Sequence, residues 1–281
     1  RAFIPMLLGF GCTVPAIMAS RALENRRDRF KVMLVTPFMS CSARLTIYIL
    51  FAEMFFAQYA FLAAFCMYVL GILVAIGVSA VLHLIDRKKT VNYLLIELPE
   101  YKMPDARTVG IYVWEKVKDY LVKAGTTIFI ATLIIWALMY FGPTGFVGEG
   151  SDSSFAAYIG GPLSVVFAPI GLGFWQIVVA LIAGISAKEV VVSSCAVLFG
   201  ISNAGADTAG FAAALEAIGF GPLNAVCLMV FCLLYIPCVA TLATIHKESK
   251  SWAWTGFTAL FQLVVAYVIT LIVYQIGLLI V

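Results

Sequence analysis

The segment "LLGFGCTVPA", residues 7–16, interrupts an apolar stretch that is otherwise suited to cross a membrane. Gly9, Gly11 and Pro15 disfavour a continuous helix there, and Cys12 places a thiol among them. Proline within a helix removes an amide donor, and in hydrocarbon the unpaired backbone groups must find partners or face a water-lined cavity. The segment therefore predicts a broken membrane helix beside a polar interior.

The composition predicts an all-α, polytopic membrane protein. Of the 281 residues, 63% are hydrophobic and 12% are charged, whereas soluble domains carry about 25% charged residues. The chain divides into roughly seven apolar segments of spanning or near-spanning length. We interpret residues 1–281 as a single transmembrane domain. Because the chain begins with arginine and enters apolar sequence at once, with no signal-peptide pattern, we expect it to be a fragment of a longer protein.

The apolar segments fall into two kinds. Continuous spans are predicted at residues 59–82, 124–141, 223–243 and 254–281. Irregular segments, interrupted by proline, glycine or charge, are predicted at residues 3–20, 32–56 and 174–199. Within the connector at 83–123, the prolines of "ELPEYKMP" (97–104) exclude a continuous helix, and an amphipathic helix is expected over 108–125.

The distribution of charge predicts the topology. Five bases lie between Arg21 and Lys31 and eight between Arg87 and Lys123, which favours a cytoplasmic location for both segments and gives no indication of nucleic-acid binding. Residues 143–173 and 201–220 contain no Lys or Arg, which suggests connectors on the opposite side. The intervening segment must then enter the membrane and return, so "AGISAKEVVVSS" (183–194) is predicted to form a break or re-entrant turn.

The two halves of the sequence resemble each other. In the first half, the glycine-rich break is followed by "PFMSCSAR" (37–44), and in the second half "IAGISAKEVV" (182–191) is followed by "YIPCVATLA" (235–243). A broken segment paired with a proline-interrupted one in each half is typical of transporters built from internal repeats.

Three cysteines lie beside prolines in these segments: Cys12 near Pro15, Cys41 near Pro37 and Cys238 next to Pro237. Thiolate sulfur together with backbone carbonyl oxygen favours borderline and soft metals over magnesium or calcium. The alternative is that these cysteines are small buried hydrophobic residues at ordinary kinks, and the residues alone leave both readings open. That packing role is the one predicted for Cys66, Cys195, Cys227 and Cys232. No CxxC zinc motif or disulfide framework is present.

Three charged residues are predicted within the membrane: Arg44, Lys188 and Glu189. Each costs on the order of 3 kcal/mol at the bilayer centre unless it is paired or hydrated. We hypothesise that Arg44 pairs with Glu189 across the two halves and that the carboxylate can switch from the arginine to a passing cation. A purely structural salt bridge is the alternative.

Helical spacing predicts two inward-facing polar stripes, each with residues at i, i+3 and i+7. They consist of Cys41, Arg44 and Tyr48, and of Ser186, Glu189 and Ser193.

His83 and His246 are placed at the ends of spans and are expected to be interfacial. The sequence contains neither a phosphate-binding loop nor a set of serine, histidine and aspartate suited to nucleophilic catalysis, so we do not expect an enzyme.

Four segments together resemble the membrane domain of the bacterial ferrous iron transport protein B (FeoB) family. They are "IPMLLGFGCTVPAIMASRALENRRDRFKVMLVTPFMSCSARLTIYILFAEMFF" (4–56), "ELPEYKMP", "AKEVVVSS" (187–194) and "YIPCVATLATI" (235–245). The resemblance extends from about residue 4 to the end of the chain, in the family's order and at similar spacings.

This resemblance implies two Gate-type membrane regions that move Fe²⁺ inward across a bacterial inner membrane. It divides the chain into a first Gate-like half at 1–58, incomplete at its N-terminus, a span and cytoplasmic connector at 59–123, and a second Gate-like half at 124–281. An N-terminal G domain, which would bind GTP and Mg²⁺, is expected outside this chain. Besides that domain and the lipid bilayer, the implied partners are small Feo accessory proteins and further copies of the chain, with no nucleic acid.

The family's gate cysteines correspond to Cys12, Cys41 and Cys238, and its "AKE" carboxylate corresponds to Glu189. Arg44, Lys188, Ser186 and Ser193 are then expected to be charge partners or to line the ion path. Thr13 departs from the asparagine common in the family, which affects the expected coordination. Two other functions remain: another Gate-type transporter, such as a nucleoside permease, and a membrane scaffold that transports nothing.

Overall fold

The computed structural model describes residues 3–23, 25–85, 105–143, 145–146, 154–199 and 208–280. This part of the chain is almost entirely α-helical, and its only β-structure is a hairpin of two strands with two residues each. The helical membrane class predicted from the composition is thereby confirmed.

Five helices form the N-terminal part of the described chain: α1 (Phe3–Gly9), α2 (Thr13–Ala19), α3 (Arg26–Val35), α4 (Ser42–Phe56) and α5 (Ala60–Ile85). A long helix and the antiparallel hairpin follow: α6 (Ala106–Tyr140), β1 (Phe141–Gly142) and β2 (Gly145–Phe146). The remaining helices are α7 (Phe155–Phe167), α8 (Trp175–Ala183), α9 (Val190–Leu198), α10 (Thr208–Ala217), α11 (Pro222–Leu234), α12 (Val239–Ser249) and α13 (Trp252–Ile280).

Fewer helices are long enough to cross the membrane than the roughly seven segments expected from hydropathy. Within the described residues, three helical stretches qualify, at 26–85, 222–249 and 252–279. The pair 155–170 and 175–183, bent by 101°, provides a fourth if it is one span. The number is smaller because the stretch 26–85 includes two of the predicted segments, and because glycine and proline divide others into short helices, such as the 7 residues each of α1 and α2.

Among the continuous spans predicted, those at 59–82 and 254–281 are confirmed as α5 and α13. The span at 223–243 is confirmed as the helical stretch 222–249, in which residues 235–238 separate α11 from α12 around Pro237. The amphipathic helix and the span expected on either side of residue 124 form the single helix α6. The Asp105 carboxylate caps α6 by accepting hydrogen bonds from the amide and hydroxyl of Thr108, at 3.0 and 2.7 Å. The "ELPEYKMP" segment lies outside the described residues.

The interpretation of residues 143–173 as a connector is wrong at 155–167, which form α7. The Ser154 hydroxyl begins this helix by accepting a hydrogen bond from the Ala157 amide at 3.2 Å. Gly160 lets α7 pack closely on α8, since a β-carbon there would lie 2.8 Å from the Val179 side chain. Glycine therefore serves helix packing here, whereas the sequence suggested a loop.

Residues 201–220 also contain a helix, α10, where a connector was predicted. The buried Phe211 on α10 and the buried Phe220 beyond it pack around Phe51 of α4, with ring centroids 6.4 and 6.3 Å from the Phe51 ring. Gly219 has a φ of +83°, which turns the chain between α10 and α11. The apolar face of α10 is too short to show a clear helical period in the sequence, but it packs against the core.

The hydrophobic core is centred on α11, which packs against α4, α5 and α13. Its side chains from Cys227 to Leu234 are almost completely buried. By contrast, α5 and α13 expose many apolar side chains, including Phe61, Leu73 and Leu260. This distribution is expected where hydrocarbon replaces water as the solvent.

Candidate ion path at four helix breaks

The three proline-associated cysteines occupy the same local position in the fold. Cys12, Cys41 and Cys238 are the N-cap residues of α2, α4 and α12, and all three have extended backbone conformations. Glu189 likewise immediately precedes α9. A helix N-terminus presents unpaired amide groups and a partial positive charge, so it favours an anionic side chain or ligand beside it.

The predicted breaks account for these positions. Helix α1 ends at Gly9, and the chain turns through Gly11 before α2 begins. Pro15 lies in the first turn of α2, where its missing amide costs no intrahelical hydrogen bond. Pro37 lies in a short 3₁₀ helix, Thr36–Phe38, and Pro237 lies in the non-helical segment before α12. Each proline therefore sits beside a helix terminus.

Backbone hydrogen bonds join the breaks in pairs, once in each half of the sequence. The amide and hydroxyl of Ser42 donate to the Gly11 carbonyl, at 3.3 and 3.1 Å. The amide of Val239 donates to the Ile185 carbonyl at 2.8 Å. Both donors directly follow a break cysteine, and both acceptors lie two residues beyond the end of a helix, α1 or α8. The shared pattern supports the internal repeat suggested by the sequence.

Arg44 is buried and holds the backbone of the first-half break. Its Nη1 atom donates to the carbonyls of Pro37 and Met39, both at 2.9 Å, and the residue is only 1% exposed. The predicted salt bridge with Glu189 is not formed, since Glu189 is exposed and no ion pair joins these two described residues. The arginine contacts carbonyls instead because the end of the helix leaves them without amide partners.

The first predicted polar stripe faces inward, since Arg44 and Tyr48 are buried on α4 and Cys41 is partly buried. The stripe of Ser186, Glu189 and Ser193 is wrong, because the helical spacing does not continue through the turn at 184–189. Ser186 is buried and donates its hydroxyl to the Ala183 carbonyl at 2.7 Å, whereas Ser193 is exposed on α9.

Lys188 has the corresponding role in the second half. Its Nζ atom donates to the Ile236 carbonyl at 2.6 Å and lies 3.1 Å from the centroid of the Tyr235 ring. The lysine is 3% exposed. The Tyr235 hydroxyl in turn donates to the Leu181 carbonyl of α8 at 3.3 Å. A buried cation and an aromatic ring thus connect the turn after α8 with the break before α12.

The two halves converge around these cations. Lys188 lies close enough to Arg44, Cys41, Cys232 and Cys238 for their charges to interact. On the second-half side, the Cys238 sulfur also lies 3.2 Å from the Thr241 hydroxyl. Two buried basic side chains, Arg44 and Lys188, therefore lie near two of the predicted sulfur ligands.

The sulfurs and carboxylate do not form a closed metal cage. Among the described residues, no group of three or more His, Cys, Asp and Glu side chains is placed to hold a metal ion. All seven cysteines are free, and Cys12, Cys41 and Cys238 are partly exposed. What the breaks provide is a series of separate sulfur positions at helix N-termini. Such positions suit transient contact with an ion better than permanent retention.

Three of the remaining cysteines have the environments expected of packing residues, and the prediction is wrong for Cys66, which is exposed. Cys195, Cys227 and Cys232 are buried in the main core, and Cys66 is exposed on α5. Three other contributors were missed in the sequence: Ser42, Tyr235 and Thr241. Each lies within three residues of a break cysteine. The contacts of Ser42 and Tyr235 are with distant segments that spacing alone does not identify, whereas Thr241 contacts Cys238 itself.

Two family models match the chain. A model described as "Nucleoside recognition", named Gate, matches residues 1–55 and 121–252. A model described as "Ferrous iron transport protein B C terminus" matches residues 64–116. No solved structure matches the chain.

Curated relatives are similar over almost the entire chain. The Fe(2+) transporter FeoB of Staphylococcus aureus (strain MSSA476) is 43% identical over 277 residues, which cover 99% of the chain and 41% of the relative. The Methanocaldococcus jannaschii protein of the same name is 39% identical over 284 residues, covering 99% of the chain and 41% of the relative. A Porphyromonas gingivalis protein named Fe(2+) transport protein A/Fe(2+) transporter FeoB fusion protein is 35% identical over 321 residues, with 99% and 38% covered. The chain thus spans about two-fifths of the length of these relatives.

Proposed function

The chain belongs to the ferrous iron transport protein B family, as a Gate-type transmembrane domain, and from this premise we propose that it is the permease portion of an Fe²⁺ uptake transporter. In this proposal the chain moves Fe²⁺ inward along a path lined by Cys12, Cys41, Cys238 and Glu189. The observation that carries the proposal is that all four side chains stand at helix N-termini beside breaks in the membrane helices.

The proposed path supplies sulfur and carboxylate ligands one after another. Fe²⁺ accepts thiolate and carbonyl ligands, and incomplete coordination lets an ion leave as readily as it enters. The carbonyls of Pro37, Met39 and Ile236 already accept hydrogen bonds from Arg44 and Lys188. The ion must therefore depend mainly on side-chain ligands where it passes these breaks.

The positive charges of Arg44 and Lys188 make negative ligands necessary. A divalent cation near two buried cations is repelled unless negative charge compensates, because charge interactions are strong in a medium of low dielectric constant. Thiolates at Cys41 and Cys238 would provide that charge. The proposal therefore requires sulfur at these positions, and a hydroxyl of similar size should not replace it.

Fe²⁺ uptake by proteoliposomes containing the intact transporter tests the proposal. Cys12→Ser, Cys41→Ser and Cys238→Ser should each reduce uptake by about tenfold or more, the loss expected when a soft ligand becomes a neutral hydroxyl. Cys66→Ser is the matched control, since this cysteine is exposed on α5 away from the breaks, and should transport normally. Full uptake by the triple Cys→Ser protein would disprove the thiol path. No uptake by the unaltered protein would favour a membrane scaffold.

Competition among metals would test the choice of substrate. Thiolate and carboxylate ligands also accept Mn²⁺ and Zn²⁺, so the ligand types alone do not select Fe²⁺. The proposal expects excess unlabelled Fe²⁺ to suppress uptake of labelled Fe²⁺ more than the same excess of Mn²⁺ does. Stronger suppression by Mn²⁺ or Zn²⁺ would reassign the substrate.

A second candidate function is nucleoside transport, which is favoured by the description of the Gate model that matches 1–55 and 121–252. A nucleoside site would use aromatic and amide groups, whereas the breaks offer sulfur and buried cations. Saturable uptake of a labelled nucleoside that survives the triple Cys→Ser change would support this function.

The relatives are longer than this chain, so the proposal also concerns the rest of the intact protein. We propose that the part outside this chain includes an N-terminal G domain that binds GTP and Mg²⁺ and acts on the cytoplasmic connector. The fusion of a Fe(2+) transport protein A with a relative supports a small accessory partner for this chain too. A bacterial inner membrane is the proposed location, and further copies of the chain are possible partners in an oligomer.

A further inference from the structure

An apolar groove lies on the lipid-facing side of the protein between α5 and α13. Its walls come from Val74, Gly77, Val78, Val81, Leu82 and Ile85 of α5 and from Phe261, Val265 and Ile269 of α13. The wall contains only apolar side chains and encloses about 390 Å³. Gly77 contributes an open position, since a β-carbon there would meet nothing within 4 Å.

The groove has the length of one leaflet. Eleven residues separate Val74 from Ile85, so at about 1.5 Å per residue the α5 wall is about 16 Å long. Half of a bilayer's hydrocarbon core is about 15 Å thick. Helix α5 leads into the basic connector that begins at Arg87, so its Ile85 end is expected to lie on the cytoplasmic side. The groove therefore spans the inner leaflet.

The width of the groove decides among possible occupants. The space of 390 Å³ open to the centres of water-sized molecules, over about 16 Å, has a mean cross-section of about 24 Å². Adding a radius of about 1.4 Å on each side gives the groove a width of about 8 Å. A transmembrane helix is about 10 Å wide and would not enter it. An acyl chain fits, because carbon atoms in contact are about 3.5–4 Å apart.

A series of aromatic contacts links the groove wall to a positively charged side chain. The exposed Arg26, near the start of α3, has its guanidinium 5.3 Å from the centroid of the Phe30 ring. From Phe30, ring contacts continue through Trp254 and Phe257 to Phe261 in the groove wall, with centroid distances of 4.7, 5.3 and 6.1 Å. This aromatic ladder connects the groove wall to Arg26, which belongs to the basic segment 21–31 predicted to be cytoplasmic, the side on which a lipid phosphate would lie.

We propose that the groove binds one acyl chain of an anionic phospholipid from the cytoplasmic leaflet, with its phosphate near Arg26. The acyl chain packs against the walls formed by α5 and α13, and the aromatic ladder marks the level of the headgroup. Its affinity over bulk lipid comes from close packing and from headgroup charge, since an acyl chain leaving the bilayer for the groove gains no burial from water.

Retention of lipid by the intact transporter tests this site. The protein would be reconstituted in nanodiscs of equal parts phosphatidylglycerol and phosphatidylcholine, extracted into detergent and examined by native mass spectrometry. The unaltered protein should retain phosphatidylglycerol. Gly77→Leu should reduce its occupancy by about fivefold or more, because the leucine fills the groove and removes close packing.

Gly256→Leu is the matched control. A β-carbon at Gly256 of α13 also meets nothing within 4 Å, but this glycine lies outside the groove, so the variant should retain lipid normally. Arg26→Gln should reduce the preference for phosphatidylglycerol over phosphatidylcholine by about fivefold, the contribution of one juxtamembrane base. Elution of each variant as a single sharp peak verifies its fold.

Equal lipid retention by the Gly77→Leu and Gly256→Leu proteins would overturn the proposal. A cysteine variant on the α5 wall distinguishes the other occupants. Disulfide-linked dimers of Val78→Cys would assign the groove to a second copy of the chain. Failure of a membrane-permeant maleimide to label Val78→Cys in lipid-stripped protein would assign it to another segment of the intact protein.

Discussion

Lys188 donates a hydrogen bond from its Nζ atom to the carbonyl oxygen of Ile236 at 2.6 Å, across the break that separates α11 from α12. Arg44 does the same for the break before α4, where it donates to the carbonyls of Pro37 and Met39. In each half, a buried cation therefore satisfies backbone acceptors that the broken helix leaves unpaired. The breaks that would carry the ion are held in shape by positive side chains.

Arg44→Met should strongly destabilise the protein. The change leaves two buried carbonyls without a donor, and hydrogen bonds to a charged group contribute about 1.5–3 kcal/mol each. We expect the free energy of unfolding in mixed micelles to fall by about 3 kcal/mol. Arg44→Lys should lose less, because an ammonium can still reach one of the carbonyls.

Arg107→Met is the control for this change, because Arg107 is exposed near the start of α6 and its substitution should alter the free energy of unfolding by less than about 0.5 kcal/mol. An Arg44→Met protein as stable as the unaltered one would show that the two carbonyls find other partners.

Substitutions of Tyr235 should separate its ring from its hydroxyl. The Lys188 Nζ atom lies 3.1 Å from the ring centroid, and a desolvated cation–π contact is worth about 2 kcal/mol. Tyr235→Leu removes this contact and should reduce the free energy of unfolding by about 2 kcal/mol or more. Tyr235→Phe keeps the ring and loses only the 3.3 Å bond to the Leu181 carbonyl, at a cost of about 1 kcal/mol. Chemical denaturation of both variants provides the measurement, and equal losses would contradict a role for the ring.

The sequence predicts the helix breaks well because glycine and proline act locally. Gly9, Gly11, Pro37 and Pro237 all lie in or beside segments where the structure interrupts a helix. The partners across these breaks were not predictable. Opposite charge suggested that Arg44 binds Glu189, but a buried arginine near a helix end is satisfied equally by carbonyls, and only the tertiary fold decides between them.

The connectors were the least predictable part of the fold. Absence of Lys and Arg around α7 and α10 suggested loops, yet both segments have apolar side chains that become buried against neighbouring helices, such as Phe211 against Phe51. Charge reports the side of the membrane on which a segment lies. It does not report whether the segment is helical.

Gly184→Ala should disrupt the turn after α8. A β-carbon at this position would overlap the Val191 side chain and lie 2.5 Å from the Tyr235 hydroxyl. Overpacking of this kind typically costs about 1–3 kcal/mol, and here it would also displace the ring that contacts Lys188. We therefore expect a lower thermal midpoint together with reduced Fe²⁺ uptake.

Gly256→Ala provides the contrast, because a β-carbon there meets nothing within 4 Å. In a helix interior, this change should raise stability by about 0.5–1 kcal/mol. If the two alanine variants had the same thermal midpoint, the close packing around Gly184 would be wrong.

Glu248 joins the two halves near the C-terminal end of α12. Its carboxylate accepts hydrogen bonds from Nε of Arg21, at 2.7 Å, and from Nη2 of the same residue, and it lies 3.6 Å from Nη2 of Arg29. The Glu248 side chain is only 4% exposed, whereas that of Arg21 is 48% exposed. Glu248→Gln removes the charge that both arginines share and should reduce the free energy of unfolding by about 2–3 kcal/mol, since breaking a buried pair leaves its partners uncompensated.

Arg21→Gln should cost less, because Arg29 remains to balance the carboxylate and Arg21 is half exposed to solvent. The double variant Arg21→Gln/Glu248→Gln should be no less stable than Glu248→Gln alone, because the two residues act through one interaction. Denaturation of the single and double variants measures this coupling. Additive losses would mean that the two residues stabilise the protein independently and that the bidentate contact does not hold the halves together.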